Sequence, residues 1–420
     1  MNKTDKIDAF IQQVVFASDP SQKKEGFDRL FSLALENGVY PASIQKFYEA
    51  AAEGASAGLT VPAINIRGIT YHVARAVFKA AVKGRVGALI FEIARSEIGY
   101  TDQRPAEYAA NVLAAAVREE FEGPVFLQGD HFQFKAANYR SDPESETEAI
   151  RTLIRESIEA GFYNIDIDAS TLVDLDKPSL EEQQELNCQL TADMTRFIRN
   201  LEPEGTTISV GGEIGEVGKR NSTVEDLRVF MSGYSERIEK EMTGISKISV
   251  QTGTSHGGVV LPDGSIAEVK VDFDTLGSLS EAARKEFGLG GAVQHGASTL
   301  PDDAFDKFPE VGTLEVHLAT GFQNIIFESG DFPRDLMKRI NDHLLKKYAS
   351  EKKEEQTEEQ FLYKTRKKAF GDFKKEMWEL PKNNLSGLRE SLEERFVLLF
   401  GKLNVNHTQQ LVSRYINTER

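Results

Sequence analysis

Three histidines, His131, His256 and His295, each stand beside a glycine or a carboxylate at the end of a short apolar run. Neutral imidazoles that converge from such ends make a site for zinc or a similar divalent ion, with open positions left for substrate. Carboxylates occupy the same kind of position: Asp130 directly precedes His131, Asp168 closes another run and Glu213 a third. A carboxylate beside a metal can take the proton of a substrate hydroxyl. It can equally stand behind a ligand imidazole and orient it, and Asp130 suits either role. His72, His343 and His407 have no such neighbours and read as structural or exposed.

The runs themselves say what must hold these groups. They are VPAINI (61–66), VGALIFEIA (86–94), GPVFLQGD (123–130), FYNIDID (162–168), TTISVGGE (206–213), ISKISVQTG (245–253), GGAVQHG (290–296) and GTLEVHLAT (312–320). Helix-length segments separate them. In PAEYAANVLAAAVREEF, for example, Tyr108, Val112, Leu113, Ala116 and Val117 share one helical face and Pro105 suits the first turn. Eight buried strands alternating with helices predict an α/β fold, a (β/α)₈ TIM barrel. An open doubly wound sheet shares that alternation, but the polar residues gather at the strands' C-terminal ends, where barrels build their sites.

Residues 1–60 read as an N-terminal helical segment, 61–345 as the barrel, and 346–420 as a charged linker with a C-terminal helical extension. Trp378, Phe396 and Leu399 in that extension are expected to pack internally or across a subunit interface, so a homo-oligomer is expected. The 420 residues carry 50 Lys+Arg against 66 Asp+Glu, a net charge of −16, which repels nucleic acid and anionic membrane. A small anionic substrate then needs a local positive site. The single cysteine, Cys188, excludes an intrachain disulfide and a multi-cysteine metal cluster. No signal peptide and no run of about 20 apolar residues is present, so a cytoplasmic protein is expected.

The words FLQGDHFQ, GGEIGEVG with STVEDL, GTSHGGVVLPDG with VDFDTL, VQHGAST with LPDDAF, and EVHLAT occur in that order. This order resembles the class II fructose-bisphosphate and tagatose-bisphosphate aldolases, over about residues 60–330. The resemblance implies a metal-dependent lyase that cleaves or forms a ketose (bis)phosphate through dihydroxyacetone phosphate. It implies Zn²⁺, or another divalent ion, on His131, His256 and His295, with Glu213 a nearby or alternative ligand. Asp130 falls on the family's proton-transfer residue. Phosphate in the family is held by backbone and hydroxyl groups after strands seven and eight, positions that correspond to Gly257, Gly296, Ser298 and Thr320.

This chain also departs from the pattern. His256 is followed by Gly257, Gly258, Val259 and Val260 where the family commonly has a tyrosine–lysine pair. A basic contact to phosphate is therefore missing or comes from elsewhere. The eighth strand carries His317 and Ala319 in place of asparagine and aspartate; His317 is expected to contact substrate. The insertion KRN (219–221) lengthens the loop that carries the family's general acid, for which Glu225 is the nearest counterpart. Two other functions share the motifs: a non-catalytic partner subunit of a tagatose-bisphosphate-type aldolase, and a metal-dependent sugar epimerase or isomerase on the same barrel. Retention of all three histidines speaks against a purely supporting subunit.

Overall fold

All eight apolar runs form strands in the computed structural model, which describes residues 3–215, 220–253 and 270–416. A short strand, β1 (Val39–Pro41), comes first. The eight that follow are β2 (Val61–Asn65), β3 (Ile90–Ala94), β4 (Gly123–Gln133), β5 (Asn164–Asp168), β6 (Ser209–Glu213), β7 (Lys247–Val250), β8 (Ala292–Gln294) and β9 (Glu315–Leu318). They pair in parallel in the order β4-β3-β2-β9-β8-β7-β6-β5, and β5 pairs back onto β4. The sheet therefore closes on itself. Most of these strands are buried along their whole length, as parallel strands covered by helices must be.

β1 lies within the segment that reads as helical from sequence. It pairs with the first residues of β4, Val39 opposite Gly123, and so extends the sheet outside the ring. Three residues are too few to leave a periodic trace. The N-terminal helices Lys3–Phe16 and Pro20–Glu36 pack on the helix Pro105–Arg118. That third helix is therefore buried on nearly every side, including Ala109, Ala110 and Asn111, and not on the single face its pattern suggests.

The C-terminal extension is bound tightly to the barrel. Its long helix, Lys382–Lys402, packs along the helix Thr70–Gly84, and Phe396 meets Phe322 with ring centroids 4.8 Å apart. Trp378 stacks on Tyr71 and meets Phe16 edge-on, joining the two ends of the chain. Phe396 and Leu399 are buried within the chain, so these residues do not require a second subunit to cover them. Gly68 explains how close the approach is: a Cβ there would lie 1.9 Å from the Phe370 ring. No helix among the described residues is long and apolar enough to cross a membrane.

Candidate metal and substrate site

Alternation along a strand sends neighbouring side chains to opposite faces, yet Asp130 and His131 serve the same cavity. A bulge in β4 makes this possible. Opposite β5, Gly129 pairs with Ile165 and Phe132 with Ile167, so β4 spends one residue more than its partner over this stretch. His131 takes up the extra residue with a positive φ of 42°. Gly129 leaves room for the Phe132 ring, which a Cβ would meet at 2.4 Å. The word FLQGDHFQ is thus a local device for pointing an aspartate and a histidine the same way.

His131 is held from both sides. Its Nδ1 lies 3.1 Å from Asp168 Oδ2 and 3.0 Å from Glu213 Oε2. Its Nε2 lies 3.0 Å from His295 Nδ1, and His295 Nε2 lies 2.9 Å from Ser249 Oγ. Asp168 is further bonded by Gln133 Nε2 and the Ser170 N–H. Burial alone would raise the Asp168 pKa, but bonds from His131, Ser170 and Gln133 outweigh it and hold the carboxyl below its ordinary range. Glu213 goes the other way, raised by burial and by the neighbouring Asp168 charge.

The donor set suits a divalent cation. Ligand atoms of His131, Glu213 and His295 all lie within 4.8 Å of one another, and imidazole with carboxylate is a usual zinc shell. Buried Asp130 and Asp168 add negative charge around the imidazole pair, which a cation would offset. His256 and Gly257 lie outside the described residues.

A cavity of about 890 Å³ opens over these groups at the C-terminal ends of the strands. Asp130, His131, Glu213, His295, Gly296, Ser298, His317 and Thr320 all line it. Thr320 begins the helix Thr320–Glu328, and Ser298 accepts a hydrogen bond from the Gly321 N–H at 3.1 Å. Glu225 does not join them. It stands in the first turn of the helix Val224–Ser235 with 64% of its side chain exposed, 3.7 Å from Arg228. The neighbouring Asp226 points inward instead: it caps that helix with Thr223 and binds Arg220 through both oxygens.

Several groups in and below the cavity were not singled out from sequence. Arg67 and Lys367 line its mouth. Arg67 is paired with Glu97 at 2.7 Å, whereas no carboxylate among the described residues lies within ion-pair distance of Lys367. Lys367 comes from the C-terminal extension, a source that barrel motifs cannot reveal. Glu92, Gln128, Asp166, Lys247 and Glu315 fill the barrel interior beneath. Their signal was present, because a charged residue inside an apolar strand must find a partner.

A family model described as fructose-bisphosphate aldolase class-II matches residues 42–384. The chain belongs to that family. Among curated proteins, the fructose-bisphosphate aldolase of Giardia intestinalis is 21% identical over 236 residues. That match covers 56% of this chain and 60% of the Giardia protein, so the chain spans under two thirds of the relative's length. Among solved structures, the fructose-bisphosphate aldolase of Campylobacter jejuni superposes with a TM-score of 0.52 at 18% identity, over 88% of this chain and 96% of that one. The YdjI aldolase of Escherichia coli gives 0.51 at 14%, over 88% and 99%. The fructuronate-tagaturonate epimerase UxaE of Cohnella laeviribosi gives 0.63 at 11%, over 91% and 86%. At such identities the structural likenesses establish the shared barrel.

Proposed function

We propose that the chain is a metal-dependent aldolase, which cleaves or forms a ketose (bis)phosphate through the enediolate of dihydroxyacetone phosphate. The observation that carries this is the β4 bulge, which aims Asp130 and His131 together at a cavity where His295 and Glu213 converge. His131, His295 and Glu213, together with His256, would hold Zn²⁺ or another divalent ion. Such an ion, when bound, supplies a Lewis acid for the substrate carbonyl and for charge that develops as the carbon–carbon bond breaks.

The chain's own residues supply the rest. Asp130 takes the proton of the hydroxyl whose carbon loses its neighbour, and returns it in the direction of synthesis. His317, 5% exposed on the cavity wall, turns both ring nitrogens to carboxylates, Nδ1 to Asp130 and Nε2 to Glu315, and so borders the substrate through its ring carbons. Gly296, Ser298 and Thr320 hold one phosphate at the N-terminal end of the helix Thr320–Glu328, where the helix dipole favours an anion, and Gly257 is the further phosphate position that the resemblance implies. Lys367 and Arg67 stand ready for the other anionic end, which answers the missing tyrosine–lysine pair.

A covalent amine route through Lys247 does not suit this geometry. The buried Lys247 is held as an ammonium between Glu315 at 2.6 Å and Asp166 at 3.0 Å and does not line the cavity. The family match does not favour a supporting subunit or a sugar epimerase. A cytoplasmic homo-oligomer acting in carbohydrate metabolism is the setting we infer. Metal analysis of the purified chain, coupled to a screen of ketose phosphates, tests the assignment: about one divalent ion and cleavage of at least one ketose phosphate are expected. Metal-free protein with full activity would refute it.

A further inference from the structure

Beneath Asp130 the barrel is filled with paired charges where hydrophobic layers are usual. His317 Nδ1 lies 3.1 Å from Asp130 Oδ1 and 3.1 Å from Glu92 Oε2. The opposite ring nitrogen, Nε2, lies 2.6 Å from Glu315 Oε1. Both ring nitrogens thus face carboxylate oxygens, and the ring can turn neither way without losing a bond.

Glu315 is itself fixed from three directions. Lys247 Nζ donates to its Oε1 at 2.6 Å and Gln128 Nε2 at 2.9 Å, while the Tyr48 hydroxyl donates to Oε2. Tyr48 lies on the helix Gln45–Ala52 near the strands' N-terminal ends, where Asn164 at the start of β5 accepts the Ile44 N–H. Lys247 also donates to Gln128 Oε1 and pairs with Asp166. One bonded chain therefore runs from the barrel floor at Tyr48, through Glu315 and His317, to Asp130 at the mouth. Glu315, Lys247 and Gln128 are at most 1% exposed. Lys247 and His317 outweigh the burial of Glu315 and hold its carboxyl far below the ordinary range, as expected of a permanent anion in this chain.

We propose that Glu315 is a positioning residue for Asp130: anchored by Lys247, Gln128 and Tyr48, it clamps the His317 ring so that its Nδ1 side is fixed on the Asp130 carboxyl. The inference rests on Asp130 being the base. It also assigns a purpose to a buried ionic cluster that contributes little to stability for its desolvation cost.

Glu315→Gln keeps shape and removes the anion, and Asp166 remains to pair Lys247. It is expected to lower kcat roughly 10–100-fold, the usual effect of losing a partner of an active group, with KM within about twofold. In the Asp130→Asn background the same change should cost nothing more, because its target is gone. Tyr48→Phe deletes one anchor and should give a smaller loss of the same kind, a check should Glu315→Gln fold poorly. Histidine-labelled protein gives a readout independent of turnover: the His317 Nε2 resonance should move in Glu315→Gln and, less, in Tyr48→Phe. Equal kinetic losses with and without Asp130, or unmoved His317 resonances in both variants, would overturn the clamp. A wild type that turns over no ketose phosphate would overturn the aldolase assignment instead, and the resonances would still decide whether the clamp exists.

Discussion

Asp130 and His317 stand on strands across the barrel from each other, β4 and β9, yet their side chains meet at 3.1 Å. His295 joins them, its ring centroid 4.1 Å from that of His317. The base, the clamped imidazole and the candidate ligand thus form one contiguous wall. Changes to different members of that wall should have different signatures.

His131→Ala removes a ring that faces Glu213 and His295 together. Metal content should fall, and cleavage and exchange of the carbon-bound proton of dihydroxyacetone phosphate should fall with it. Metal analysis beside both assays checks this. Full metal occupancy in the variant would show that His131 is not a ligand.

Lys367→Met should raise KM for doubly anionic ketoses far more than it lowers kcat. Loss of a charged hydrogen bond, about 1.5–3 kcal/mol, corresponds to roughly 10–100-fold. Burial, and then the Arg67 charge, bring the lysine's pKa below its ordinary value of 10.5. The ammonium is the form that binds an anion, so KM should be lowest on the acidic side and rise with pH, starting below 10.5. A KM that ignores both the substitution and the pH would remove Lys367 from the site.

Phe396→Ala tests the docking of the extension. The ring is fully buried against Phe322, and aromatic truncations of this kind cost about 3–5 kcal/mol. Denaturant unfolding should show that loss, and limited proteolysis should cut the 346–420 region sooner than in wild type.

His72 ties the extension to the barrel through Arg389 NH1, 3.1 Å from its Nδ1. Burial, then Arg389 and Arg75, lower its pKa from 6.5 to about 3. Between those values the unfolded chain binds the proton and the folded chain does not, so stability rises with pH across that window and is lost as pH falls. Stability measured from pH 7 down to 3 should show a shallower acid loss in His72→Gln than in wild type.

The barrel was legible because its eight strands are apolar runs of the right length, and the polar residues at their ends marked the face that carries the site. His131 and His295 could be named for the same reason. The interior charges were harder to read. Glu92, Lys247 and Glu315 each interrupt an apolar strand, but only the closed ring brings Lys247 onto Glu315 and joins Glu92 to them through Gln128 and His317. Glu225 stands exposed and outside the cavity lining, because sequence spacing cannot say which of two adjacent acids in a first helical turn points inward; Asp226 does. Lys367 lies far beyond the barrel motifs, in the extension whose Phe370 packs closely over Gly68.

Asp130→Asn is the most direct test of the central claim. The change keeps size and hydrogen-bonding shape and removes the base, so ketose phosphate cleavage should fall by something like the ~10²–10⁴ of a general acid–base group. Metal content should stay near that of wild type, and exchange of the carbon-bound proton of dihydroxyacetone phosphate should suffer less than cleavage. Unchanged cleavage in Asp130→Asn, at full metal content and on every ketose phosphate that wild type accepts, would contradict the assignment.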